Sequence, residues 1–124
     1  MNEFGKNLQT KSLDFAVRIA KYAQDLVVNQ KEFVLSRQLM KSGTSIGANI
    51  REAQYAQSDA DFVPKLSIAL KEGAETQYWL EVLHRANFMA SEIYQSLSQD
   101  VDSLVALLVK SVRSKKANCG FPVC

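Results

Sequence analysis

The chain has 124 residues, of which 47% are apolar, with five glycines and two prolines. This length predicts one domain with a substantial core, and the composition excludes collagen-like, proline-rich and disordered classes of protein. Fifteen Lys and Arg residues nearly balance thirteen Asp and Glu residues, which gives a net charge of +2. That balance alone does not indicate a nucleic-acid-binding monomer.

Membrane-spanning and secreted classes are also disfavoured. The longest uninterrupted apolar run, residues 104–109, is far too short to cross a bilayer, and the first residues lack the hydrophobic segment of a secretory signal. The two cysteines, Cys119 and Cys124, lie together at the C-terminal end, where they cannot cross-link the domain. We therefore expect a cytoplasmic protein.

The first predicted helix begins at Ser12, a candidate N-cap, after a loose lead-in over residues 1–11, and ends near Asn29. Two neighbouring stripes with 4-3-4 spacing indicate an extended apolar side. They consist of Phe15, Ile19, Tyr22 and Leu26, and of Ala16, Ala20, Ala23 and Val27. The opposite side is charged, which predicts an amphipathic helix.

The second predicted helix begins near Ser36 and ends before residues 56–59. It is rich in small residues, and Gly43 and Gly47 lie inside it. Each glycine in a helix costs about 1 kcal/mol relative to alanine. We expect close contact with a neighbouring helix or subunit to offset this cost, and we assign both glycines to the candidate oligomer interface.

The third predicted helix extends from about Asp61 to Asn87, with Asp59 or Asp61 as its cap and Pro64 in its first turn. It has a core seam of Phe62, Leu66, Ala69, Gly73, Thr76, Leu80 and Leu83. A second stripe contains Ile68, Glu72, Glu75, Trp79, Val82 and Ala86. A helix in a monomeric bundle needs only one apolar side. The second stripe is therefore either a half-solvated rim or a subunit interface, in which Arg51 or Arg18 would pair with the two carboxylates.

The fourth predicted helix extends from about Ser91 to Ser114 and precedes a disordered tail over residues 117–124. Its end carries four cations: Lys110, Arg113, Lys115 and Lys116. Cations are common at helix C-termini, where they interact favourably with the helix dipole. The alternative is a basic patch for nucleic acid, which oligomerisation would multiply.

Together these segments predict an all-α domain over residues 12–116. Four amphipathic helices joined by short turns, without strand-like alternation, are typical of an antiparallel up-and-down four-helix bundle.

Motifs for catalysis or metal binding are incomplete. Glu81 and His84 form the E-x-x-H of di-iron bundles, but such a site needs two histidines and His84 is the only one. The segment from Gly43 to Gly47 lacks the lysine and spacing of a phosphate-binding loop. The tail cysteines have no structured base beside them. We therefore predict no catalytic residues, no metal and no cofactor.

The stretch from Ser45 to Ala53, SIGANIREA, precedes Leu66-Ser67-Ile68-Ala69 and then Glu72, Glu75 and Tyr78-Trp79-Leu80. This pattern resembles the four-helix-bundle proteins named for the intervening sequences of 23S ribosomal RNA genes, over residues 12–116. The resemblance implies a cytosolic bacterial protein that forms a homopentameric ring and has no established catalytic activity. It also implies kinship with the accessory proteins of diversity-generating retroelements, which are basic pentamers that bind nucleic acid and a reverse transcriptase.

The predicted function is that of a non-enzymatic homo-oligomeric scaffold. Its candidate partners are further copies of the chain, RNA or DNA, and a reverse transcriptase or another protein; the alternative is a protein-binding adaptor ring without nucleic acid. The candidate nucleic-acid-binding residues are Lys110, Arg113, Lys115 and Lys116, and the candidate interface residues are Ile68, Glu72, Glu75, Trp79, Val82, Gly43 and Gly47.

Overall fold

The computed structural model describes the backbone of residues 3–119 and the side chains of residues 5–115. Within these limits the chain forms four helices: α1 (Glu3–Gln30), α2 (Leu35–Ala53), α3 (Asp59–Arg85) and α4 (Ser91–Cys119). Each helix packs against the next one in sequence, and a smaller contact between α1 and α4 closes the bundle. The predicted all-α antiparallel four-helix bundle is confirmed.

The core consists of aliphatic and aromatic side chains that recur at helical spacing on all four helices. The largest of the fully buried side chains are Phe15, Ile19, Leu26, Leu39, Ile46, Leu66, Leu80, Leu83, Leu97, Leu104 and Leu108. Full burial of each such side chain stabilises the fold by roughly 1.5–3 kcal/mol. The predicted core seam of α3 is buried except at Phe62, which is only partly buried and lies beside the fully buried Val63.

The predicted start of the first helix is wrong. α1 begins at Glu3, and Leu8 is buried in the core, so the residues expected to form a loose lead-in belong to the helix. Leu8 lies seven residues before Phe15 and therefore extends the buried stripe by two turns. Ser12 is not an N-cap: it is buried within the helix, and its Oγ donates to the carbonyl oxygen of Gln9 at 3.0 Å.

The predicted caps also need correction. α3 begins at Asp59, and its N-cap is Ser58, whose side chain accepts from the backbone N–H of Asp61. Pro64 therefore lies in the second turn of the helix, not the first. At α2, the Glu32 carboxylate accepts from the Ser36 N–H at 2.8 Å and satisfies one of the amides left free at a helix start.

The end of α4 is longer than predicted. The helix continues to Cys119, three residues into the segment expected to be a disordered tail. The rest of that prediction, residues 120–124, lies outside the described part of the chain.

Two side chains of α1 form hydrogen bonds that link this helix to α4 and to the turn between α3 and α4. Arg18 pairs with Asp100 and donates to Ser96 Oγ at 2.8 Å. The Tyr22 hydroxyl donates to the Phe88 carbonyl oxygen at 2.7 Å. Burial, reinforced by the nearby Asp25 carboxylate, raises the pKa of Tyr22 to about 12, so this hydroxyl remains a donor over the physiological range.

Candidate functional site

The cations at the end of α4 do not all share one side of the helix. Lys110 and Arg113 are exposed, whereas Lys115 forms an ion pair with Asp59 at 3.4 Å and lies 5.4 Å from the centre of the Phe62 ring. Residues three apart lie on one side of a helix, as Lys110 and Arg113 do, whereas Lys115 is turned from Lys110 by about 140° at 100° per residue. Lys115 is thus partly neutralised by α3. The side chain of Lys116 lies outside the described residues.

An open groove of about 760 Å³ lies at this end of the bundle, where all four helices contribute to its wall. Leu8, Ile50 and Phe62 form apolar parts of the lining, and Lys110 and Lys115 contribute its positive charge. Arg113 is not part of the lining. The groove therefore combines an apolar floor with a cationic wall on α4.

Two cations that the sequence analysis did not assign to nucleic acid lie near the same end. Lys6 on α1 and Arg51 on α2 are exposed, and neither forms an ion pair with another described side chain. The antiparallel order brings the start of α1 and the end of α2 beside the end of α4. We call Lys6, Arg51, Lys110, Arg113 and Lys115 the basic end of the bundle.

The second stripe of α3 lies on the outside of the bundle, on the side next to α2. Ile68 is 42% exposed, and Trp79 is half-buried against the core. The indole N–H of Trp79 donates to Glu75 Oε1 at 3.3 Å. We call Ile68, Glu72, Glu75, Trp79 and Val82 the outer face of α3. These residues lie together on one side of the helix, and each keeps part of its surface exposed.

Glu72 is the most perturbed carboxylate of this face. Burial raises its pKa, the adjacent Glu75 raises it further, and Lys41 of α2 and Lys71 oppose the shift. Arg18, one of the two cations expected to pair with the carboxylates, is already held by Asp100 of its own chain. Arg51 is therefore the remaining candidate to pair with Glu72 and Glu75 across a subunit contact.

The two glycines of α2 face α1 within the same chain. A Cβ at Gly43 would lie 2.8 Å from Ile19 Cγ2, and one at Gly47 would lie 3.2 Å from Ser12 Oγ. The expected close approach is therefore a contact between α1 and α2 of one subunit. Of the two, Gly43 is buried and cannot touch another subunit, whereas Gly47 is partly exposed.

A further apolar surface lies outside the junction of α1 and α2. Leu13 is 50% exposed and Met40 is 41% exposed. A shallow groove of about 390 Å³ beside Leu13 is lined by Ala16, Gly47 and Ala48, with Arg51 and Glu52 at its charged end. We call this surface the α1–α2 face; it consists of Leu13, Ala16, Val17, Met40, Thr44, Gly47 and Ala48.

This face was not predicted from the sequence, although the sequence contains a signal for it. The second apolar stripe of α1, which includes Ala16 and Ala20, leads away from the core towards α2. The charged stripe of α1 lies on the other side, where Arg18 meets Asp100 of α4.

His84 has a structural environment at the turn between α3 and α4. Its ring stacks on Tyr94 with centroids 4.2 Å apart, and its Nε2 lies 3.1 Å from Ser91 Oγ. Among the described residues, no group of three His, Cys, Asp or Glu side chains is arranged to hold a metal ion. None of the described helices combines the length and apolarity required to cross a bilayer.

Comparison with known proteins shows one family. The model of the 23S rRNA-intervening sequence protein family matches residues 7–110. A crystal structure of a protein of unknown function from the S23 ribosomal protein family of Bacteroides thetaiotaomicron is 51% identical to this chain, with a TM-score of 0.87 over 89% of this chain and 98% of that one. No curated protein matches the chain. Neither the family nor the structural neighbour carries the name of an enzyme.

Proposed function

The chain belongs to the family of 23S rRNA-intervening sequence proteins, and on that premise we propose that it is a non-enzymatic scaffold that self-associates and binds structured RNA through its basic end. The observation that carries RNA binding is the convergence of cations from α1, α2 and α4 at one end of the bundle. Lys110 and Arg113 are the residues on which we expect binding to depend most, because both are exposed and neither is paired within the described chain.

Self-association would supply the charge that one subunit lacks. A net charge of +2 gives a monomer little attraction for phosphates. A ring of subunits with their bundles parallel would place the basic end of every copy on one rim. The resemblance to the intervening-sequence proteins favours a pentamer, and the exposed outer face of α3 supports the contact between subunits.

RNA binding is tested by the affinity for a structured RNA over a series of salt concentrations. We expect steeply salt-dependent binding, and replacing Lys110, Arg113 and Lys116 with Gln should reduce the slope of log K against log salt by about 1 for each phosphate that is no longer neutralised. Lys115 is left intact because its bond to Asp59 links α3 and α4.

The matched control removes three exposed cations distant from the basic end that form no ion pair with a described side chain, by replacing Lys21, Lys31 and Arg37 with Gln. Both triple variants lower the net charge equally, so only the position of the charge differs. Equal losses of RNA affinity in the two triple variants would indicate non-specific electrostatic attraction. A wild-type protein that binds no RNA at low salt would remove RNA from the proposal and favour an adaptor that binds proteins through the apolar floor of the groove.

A further inference from the structure

The α1–α2 face is uncharged along most of its length. The charged residues of α1 between Gln9 and Val28 form one stripe, and Arg18 of that stripe contacts Asp100 of α4. The side of α1 next to α2 is thus left with apolar or neutral residues, including the half-exposed Leu13 and Val17. Such a continuous exposed apolar surface is characteristic of a binding interface.

The outer face of α3 has the complementary character. It is also apolar, but Glu72 and Glu75 lie at its centre and repel each other. The α1–α2 face has Arg51 at its edge, where it lines the shallow groove beside Ala48 and has no ion-pair partner among the described residues. Lys41 and Lys71 lie near Glu72, but no described cation forms an ion pair with it. Glu52, which lines the groove beside Arg51, is already paired with Lys65. Each face therefore has a charged group without an ion-pair partner, a carboxylate on α3 and a guanidinium on α2.

We propose that the outer face of α3 in one copy packs on the α1–α2 face of the next copy, with Arg51 of the latter paired to Glu72 of the former. This head-to-tail contact rests on the self-association in the proposed function and specifies how it occurs. Each copy would bind one neighbour through its outer face of α3 and the other neighbour through its α1–α2 face. Because these two faces differ, the contact is heterologous.

The heights of the residues along the bundle are compatible with this pairing. Thr76 Oγ1 donates to Ser42 Oγ at 3.0 Å, so these two residues mark the same height on α3 and α2. Trp79, one turn from Thr76, then lies level with the region of Met40, an exposed apolar residue of the other face. Glu72 lies level with Ile46, and Arg51 is about 7.5 Å further along the axis at 1.5 Å per residue. The extended side chains of Arg51 and Glu72 together span that distance.

The positions of the faces favour a closed ring. The helices pack in the cyclic order α1, α2, α3, α4, and the outer face of α3 lies next to α2, where Lys41 influences Glu72. The two faces are therefore on neighbouring sides of the bundle, turned from one another by roughly a right angle, since four helices form four corners. Each added copy is then rotated relative to the last, which closes a small ring; faces on opposite sides would extend a filament.

A charge swap tests the pairing. Glu72→Arg and Arg51→Glu are each expected to reduce the mass of the assembly in analytical ultracentrifugation, because each places like charges in the contact. The double variant E72R/R51E restores opposite charges with the order reversed, and its mass is expected to return to that of the wild type. Glu81→Arg, on the side of α3 away from α2, is the matched control and should leave the mass unchanged.

The outcomes separate this inference from the proposed function. A wild-type protein that is monomeric at high micromolar concentration overturns both self-association and the head-to-tail contact. An assembly that persists in both single variants, or that the double variant fails to restore while circular dichroism shows folded helices, overturns the pairing and leaves self-association standing. Restored mass supports the pairing, because a purely structural role of either residue gives no reason for mutual rescue.

Discussion

Glu72 is half-buried beside Glu75 on the outer face of α3, and burial together with that neighbour raises the pKa of its carboxyl group. Lys41 and Lys71 moderate the shift without abolishing it. In a free subunit Glu72 therefore keeps its proton to a higher pH than an isolated glutamate does. An arginine from the next copy would favour the ionised form and lower the pKa, so the assembled and free subunits would differ in proton affinity.

This difference predicts that assembly depends on pH. The free subunit binds the Glu72 proton more tightly than the assembly does, so association is strongest above the raised pKa of the free subunit and weakens as the pH falls through it. Glu72→Gln should flatten this dependence and weaken association at neutral pH by up to about fivefold, the range of a solvent-accessible ion pair. Sedimentation over a pH series checks both expectations. Association that strengthens with acidification would contradict them.

At the scale of the element, α1 and α2 approach each other closely at two glycines. At Gly43 the first atoms that a Cβ would meet belong to Ile19, a fully buried and β-branched side chain with little freedom to move. At Gly47 the nearest atoms are those of Ser12, and the distances are longer. The cost of a helical glycine is offset at Gly43 by the core contact that its missing side chain permits.

The two glycines predict responses to alanine of different size. Gly43→Ala should lower the free energy of unfolding by about 1–3 kcal/mol, because the overpacked core must shift around Ile19. Gly47→Ala should have a much smaller effect, since the gain in helix propensity of up to about 1 kcal/mol opposes a milder clash. Urea denaturation of the two variants checks the contrast. Equal and small effects would show that α1 moves away from α2 at no cost.

Helix ends were harder to predict than helices. Ser58, Asp59 and Asp61 are all residue types that cap helices, and only the hydrogen bond from the Asp61 N–H to Ser58 identifies the cap. The start of α1 was misplaced because the polar residues around Leu8 obscure its place in the buried stripe. By contrast, the core seam of α3 followed from its spacing, because burial of a helix depends on periodicity more than on its caps.

At the scale of the whole molecule, Trp79 provides the simplest test of self-association. Trp79→Glu should release monomers in light scattering, because a carboxylate in place of the indole would lose its hydration in the contact without gaining a partner. Trp79 also packs against the core, so thermal unfolding of the variant must confirm that it folds. Ile93→Glu is the matched control, since this apolar side chain lies on α4 and is 40% exposed. A Trp79→Glu variant of unchanged mass would contradict the assignment of this face.

The bundle and the family followed from the sequence because both depend on patterns that lie along the chain. The distribution of charge did not. Lys110, Arg113 and Lys115 are neighbours in sequence, but only Lys110 and Arg113, three residues apart, share a side of the helix, and Asp59 engages Lys115. Arg51 is distant in sequence from α4 and joins the basic end only through the antiparallel packing of the helices. Tertiary contacts of this kind have no signature in a single sequence.

The unequal packing of the helices bears on how the chain folds. Each helix packs most extensively on its neighbour in sequence, whereas α1 and α4, the two ends of the chain, share the smaller contact. Helical hairpins can therefore form from local contacts before the ends meet, a topology of low contact order that folds fast. The smaller contact also determines where partial unfolding begins, because separating α1 from α4 costs the least free energy. Arg18 and Tyr22 are then the side chains that govern how often the bundle opens.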